Sequence, residues 1–117
     1  MKIPLMFDDE KALQTFPTGA TLFSVGEPGD VMYVVKSGEI EILIGDQVVD
    51  TIGVDGIIGE MAILDNAPRS ATAKTKSESV VLPLTQKQFI FMVQETPFFA
   101  IEVMRVMSAR IRNRNSA

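Results

Sequence analysis

Most of the chemistry this sequence can do is held in one stretch of sixteen residues, Ile58-Gly59-Glu60-Met61-Ala62-Ile63-Leu64-Asp65-Asn66-Ala67-Pro68-Arg69-Ser70-Ala71-Thr72-Ala73. Gly56 and Gly59 permit tight turns and close approach of a ligand to the backbone. Glu60–Leu64 favours a short helix, and the free N–H groups at a helix start attract a phosphate or carboxylate. Arg69 follows the stiff Pro68 and offers a two-pronged donor matched to two phosphate oxygens. Glu60 is out of place beside a bare phosphate, because like charges repel. It fits an anion that also carries hydroxyls from which the carboxylate can accept. Phosphate plus sugar hydroxyl describes a nucleotide. The plainer alternative is that Glu60 and Arg69 pair with each other across a turn and hold nothing else.

Something must position these residues, and the chain supplies two kinds of element. All eight glycines fall between Gly19 and Gly59, in a region rich in β-branched residues. Its short apolar runs read as strands over Thr21-Phe23, Val31-Lys36, Glu39-Ile44, Val48-Ile52, Ser70-Thr75 and Ser79-Leu82. Glu39-Ile40-Glu41-Ile42 alternates cleanly, as a half-buried strand should, and Ser37-Gly38 and Gly45-Asp46 punctuate it as turns. Many short antiparallel strands predict a small barrel or jelly roll over about 11–83. The period then changes. Thr85-Gln86-Lys87-Gln88 fits a capping box opening a helix over about 85–95, and Pro97, with Thr96 as cap, opens a second over about 97–113. In the second helix Ala100, Met104, Met107 and Ile111 share one face, expected to meet the core or a second copy of the chain. Arg105, Arg110, Arg112 and Arg114 lie opposite, a solvated face or, for Arg105 or Arg110, a surface on which a base stacks. A helical turn near Pro4–Phe7 and a solvent-facing Asp8-Asp9-Glu10 complete the reading.

Composition removes several alternatives. The chain has 117 residues, 46% hydrophobic and 22% charged, the profile of one globular domain. With no histidine and no cysteine it cannot build the common zinc and iron–sulfur sites, a Ser-His-Asp or Cys-His nucleophile, or a disulfide. A net charge of -4 argues against direct nucleic-acid binding. No run is long and apolar enough to span a membrane, and Met1–Phe7 is too short and too closely followed by acids to read as a signal peptide. A cytoplasmic protein is expected.

The two blocks Gly59-Glu60-Met61-Ala62 and Pro68-Arg69-Ser70-Ala71-Thr72, with eight residues between Glu60 and Arg69, resemble the phosphate-binding cassette of the cyclic nucleotide-binding domain family. The flanking Gly26-Glu27-Pro28-Gly29-Asp30 and Lys36-Ser37-Gly38-Glu39 share the likeness, which covers about the whole chain. It implies a mainly β fold, a double-stranded β-helix (a jelly-roll-like β-roll) followed by two C-terminal helices. It implies ligand contacts at Gly59, Glu60, Met61, Ala62, Arg69, Ser70 and Ala71. Glu60 would accept the ribose 2′-hydroxyl and Arg69 would pair with exocyclic phosphate oxygens. Backbone N–H groups near Met61, Ala62 and Ser70 would complete the cradle, and the last helix would close as a lid. Ile58 stands where the family usually has an aromatic, a packing change. Ser70 supplies a hydroxyl that in parts of the family favours cyclic GMP, yet bacterial members with serine there also bind cyclic AMP; cyclic AMP is the expected ligand. The expected role is a non-catalytic sensor, with no DNA-binding, kinase or channel domain within these residues, signalling to a separate effector protein. Two other readings are an enzyme on a similar β-roll, which would lean on histidines this chain lacks, and a degenerate β-roll kept for protein interaction.

Overall fold

The computed structural model of the chain describes residues 12–115, with side chains to Arg112. The expectations for Pro4–Phe7, for Asp8–Glu10 and for the Arg114 side chain lie outside the described residues. Eight strands and three helices follow in order: β1 (Gln14–Phe16), β2 (Thr21–Phe23), β3 (Val31–Ser37), β4 (Ile40–Ile44), β5 (Gln47–Ile52), β6 (Ile57–Ile58), α1 (Glu60–Asp65), β7 (Thr72–Thr75), β8 (Ser79–Thr85), α2 (Gln86–Glu95) and α3 (Pro97–Asn115). The strands make two antiparallel sheets, ordered β1-β8-β3-β6 and β2-β7-β4-β5. This is the jelly-roll β-roll with C-terminal helices that the sequence leads one to expect.

Two cores account for the strand sequences. Phe23, Val35, Ile40, Ile52, Ile58, Ala73 and Val81 draw on both sheets and fill the space between them. Met32, Val34, Ile57, Ile63, Leu82, Leu84, Met92, Phe99 and Val103 form the other core, where the helices cover the outer face of the β1-β8-β3-β6 sheet. That sheet is therefore apolar on both faces, which is why Val31-Met32-Tyr33-Val34-Val35 and Val80-Val81-Leu82 run without alternation. Pro83 is tolerated within β8 because β1 pairs only as far as Val81 on that side; beyond it the missing N–H leaves no ladder bond unmade.

The helices start where local chemistry puts them. Thr85 Oγ1 accepts from the Gln88 N–H at 3.2 Å and Gln88 Oε1 accepts from the Thr85 N–H at 2.8 Å, a complete capping box. Between the helices, the Thr96 N–H donates to the Met92 carbonyl and the Thr96 carbonyl accepts from the Phe99 N–H, both at 2.8 Å. Phe89 and Phe99 meet edge to face with centroids 5.4 Å apart, fixing α2 against α3.

The structure changes three expectations. Ser70 precedes β7 in a loop, and β8 runs on to Thr85. The short β1 and β6 were not foreseen. The face that α3 turns inward is Phe99, Val103, Val106 and Met107, whereas Met104 and Ile111 are 59% and 60% exposed. The expected stripe of Ala100, Met104, Met107 and Ile111 is thus not the core face; only Met107 packs on the core. Pro97–Ile101 is apolar almost all round, so packing against Met92 and Phe89, not local pattern, decides the rotation of the helix.

Candidate functional site

β6 runs into Gly59, which takes a left-handed conformation (φ 77°, ψ 18°) and supplies no capping oxygen to α1. The turn swings Glu60 inward at the first position of the helix. Asn66, also left-handed, ends the helix after six residues. The returning chain brings in Arg69, whose backbone is clamped to the β2–β3 loop: its N–H donates to Glu27 at 2.8 Å, and its carbonyl accepts from Gly26 at 2.7 Å.

Both singled-out charges are buried, each 6% exposed. Burial of this depth needs compensation, and the two find it separately. Arg69 Nη2 donates to the Val31 carbonyl at 2.9 Å and Nη1 to the Gly59 carbonyl at 3.3 Å. Its guanidinium lies over the Phe23 ring, 4.2 Å from the centroid. Its Nε is buried without a hydrogen-bond partner among the described residues. Phe23 stacks in turn on Tyr33, with centroids 6.2 Å apart. Burial pushes the Tyr33 phenol upward, against a smaller downward pull from Arg69; Asp30 adds a smaller upward push.

Glu60 does not pair with Arg69. Its Oε1 accepts from Arg110 Nη1 at 2.6 Å, and Arg110 Nη2 donates to the Ile57 carbonyl. This corrects the placing of Arg110 on a solvated face: it is the polar end of the buried face of α3, one turn beyond Val106, and it borders the cavity. The helical position was a usable signal once the buried face was known. Arg105, by contrast, makes an exposed pair with Glu102 at 3.3 Å, of a kind that contributes little.

These residues border one cavity of about 370 Å³. Gly59, Glu60, Met61, Ala62, Arg69, Ser70 and Ala71 all line it, so the structure brings all seven expected contact residues together. Ala62 and Ala71 are buried; Met61 and Ser70 are exposed at the rim, Ser70 Oγ 4.0 Å from Met61 Sδ. The opposite wall is β4–β5, with Ile42, Ile44, Asp50 and Ile52, and α3 closes one side with Met107, Arg110 and Ile111. The β4–β5 wall is three isoleucines and Asp50, and the cassette wall carries an unpaired buried donor and a carboxylate. Among the described residues no group of acids is placed to hold a metal ion, and no helix is long and apolar enough to cross a membrane.

A family model described as the cyclic nucleotide-binding domain matches residues 13–96, well over half of the chain. The chain belongs to the cyclic nucleotide-binding domain family. The family is a regulatory ligand-binding module. The domain is 30% identical over 108 residues to a CRP-like cAMP-activated global transcriptional regulator of Mycobacterium tuberculosis, covering 86% of this chain and 47% of the regulator. It thus spans about half that relative's length. Among solved structures it is similar to the catabolite activator protein of Thermus thermophilus (TM-score 0.77, 25% identity, 88% of this chain and 51% of that one). It is equally similar to a protein of a cyclic-GMP-dependent signalling pathway in bacterial phytopathogenesis (TM-score 0.77, 26% identity, 93% and 91%).

The site geometry makes Gly29 a test of Arg69 placement. A Cβ there would stand 2.4 Å from Arg69 Nε and 2.5 Å from its Cζ. Gly29 carries no left-handed strain, so Gly29→Ala acts on Arg69 by contact alone. It is expected to weaken cyclic nucleotide binding roughly ten-fold, about 1.4 kcal/mol, with a single cooperative melt retained, as titration calorimetry and thermal unfolding would read.

Proposed function

We propose that this domain is a receptor for a cyclic mononucleotide, cyclic AMP in preference to cyclic GMP, and that it performs no chemistry on its ligand. The observation that carries the reading is the buried pair of opposite charges that do not neutralise each other. Glu60 and Arg69 lie on one cavity, and Arg69 retains a buried N–H that an anion's oxygen would satisfy. Arg69 and the cassette backbone hold the phosphate; Glu60 accepts from the ribose 2′-hydroxyl. A relict kept for protein interaction has no use for an unmet donor buried at this depth. The preference for cyclic AMP draws support from the cAMP-activated relative.

Signalling follows from α3. Arg110 ties that helix to Glu60, the residue that meets the sugar, so ligand at Glu60 biases the position of α3. A ligand shifts such an equilibrium only by its differential affinity for the two positions. The signal passes to a separate effector protein in the cytoplasm, without direct nucleic-acid contact, and the exposed Met104 and Ile111 give α3 a surface for a second copy of the domain. Calorimetry with cyclic AMP, cyclic GMP and 5′-AMP tests the reading: micromolar or tighter binding of a cyclic nucleotide and none of 5′-AMP is expected. If neither cyclic nucleotide binds, the receptor reading is wrong.

A further inference from the structure

Helix α1 is too short to hold itself in place. An isolated helix needs about 12–15 residues to be even marginal in water, so one of six residues persists through what its surroundings supply. Gly59 gives it no capping oxygen at its start. Ile63 packs with Met92, Phe99 and Val103 in the core beneath the helices. The carbonyls of a helix's last turn lack partners within the helix and need them from outside. For Ile63 the partner comes from another element: Gln86 Nε2 donates to its carbonyl at 2.8 Å. Gln86 is the first residue of α2, whose capping box uses Thr85 and Gln88 and not this side chain. The first turn of α2 holds no acid, although the positive end of a helix favours a carboxylate. A glutamate at this position would serve α2 better, but it could not donate to Ile63 when ionised. The amide serves α1.

We propose that Gln86 is a positioning residue for Glu60, steadying the cassette helix so that the carboxylate meets the sugar hydroxyl of the ligand. The inference rests on the receptor reading above. Glu60 opens α1 and Ile63 lies one turn along it, and different helices hold the two. Arg110 of α3 donates to the Glu60 carboxylate, and Gln86 of α2 donates to the Ile63 carbonyl. With Arg110 alone, α1 could pivot about that contact. The apolar packing of Ile63 resists separation but is non-directional; the bond from Gln86 adds a direction. Hydrogen bonds weaken steeply with misalignment. A carboxylate on a helix free to swing therefore binds a hydroxyl less well than one held still, because the ordering has to be met on binding.

The test compares cyclic AMP with 2′-deoxy cyclic AMP by calorimetry on the native chain, Gln86→Met, Gln86→Glu and Gln86→Lys. The two ligands carry the same charge, so their affinity ratio is blind to the charge introduced at residue 86, and a general loosening of the fold weakens both alike. The native chain is expected to prefer cyclic AMP by about ten-fold or more, as a hydrogen bond to a charged group would give. Gln86→Met, which keeps the length and loses the donor, brings the two ligands within about three-fold, and Gln86→Glu does the same. Gln86→Lys keeps a donor of sufficient reach and holds the native ratio, although an ammonium suits a helix start poorly. An unchanged ratio in the Met and Glu variants, or a ratio in the Lys variant as narrow as in Met, overturns the role of Gln86 and leaves the receptor reading standing. Equal binding of both ligands by the native chain removes the sugar contact of Glu60 and the role of Gln86 with it. Absence of any cyclic nucleotide binding by the native chain overturns the receptor reading itself.

Discussion

Arg69→Ala is expected to weaken cyclic nucleotide binding by about thirty-fold to several-thousand-fold, the roughly 2–5 kcal/mol typical of truncating a buried, hydrogen-bonded charge partner. The size follows from where the side chain sits. It is 6% exposed, donates to the carbonyls of Val31 and Gly59 and lies on Phe23, so it is held in place before any ligand arrives. Holding it in advance cuts the ordering cost of binding. Its partnerless Nε adds a second term, because a buried unmet donor costs about 1–3 kcal/mol that an anion would recover. Arg69→Lys should rescue only part of the loss: an ammonium keeps the charge but not the fork or the stack on Phe23. Calorimetry on both variants, with unfolding curves to show that the fold survives, would settle the matter. Native affinity in Arg69→Ala would mean that the phosphate is held elsewhere.

The second large effect concerns stability. Arg110→Ala leaves the Glu60 carboxylate buried without its cation and the Ile57 carbonyl without that donor. Breaking a buried pair from one side costs about 3–5 kcal/mol; with Arg110 22% exposed and partly solvated, about 2–4 kcal/mol is expected. The denaturant midpoint should fall accordingly. Removing both charges, in Glu60→Gln with Arg110→Met, should recover much of the loss, since neutralising both partners avoids an isolated buried charge. The double-mutant cycle measures the coupling directly. Strict additivity of the two changes, with little loss in Arg110→Ala, would show that the contact contributes nothing in solution.

How far the sequence carried depends on whether each signal was local. The capping box of α2 and the proline opening α3 were legible because a helix start is written in adjacent residues. β4 was legible from alternation, and the cassette from its two spaced blocks. β1 was not: Gln14-Thr15-Phe16 has no pattern of its own and is a strand because Ser79–Val81 pairs with it. β6 is two residues long and exists through β3. The inward face of α3 was misjudged because Phe98, Phe99, Ala100 and Ile101 offer apolar surface in nearly every direction. With that face went Arg110, whose charge reads as solvated until its place below Val103 and Val106 is known.

The two cores have an effect on how the domain comes apart. Val34 and Val35 are adjacent in sequence yet belong to different cores, as are Ile57 and Ile58 just before Gly59. Each core is stitched to the other by single peptide bonds. The roll and the helices that cover it therefore cannot melt one after the other without dragging a shared strand with them. Opening of β3 and β8 should require global unfolding, so their amides should be the slowest to exchange. Ligand held against the cassette then draws on the cohesion of both layers at once.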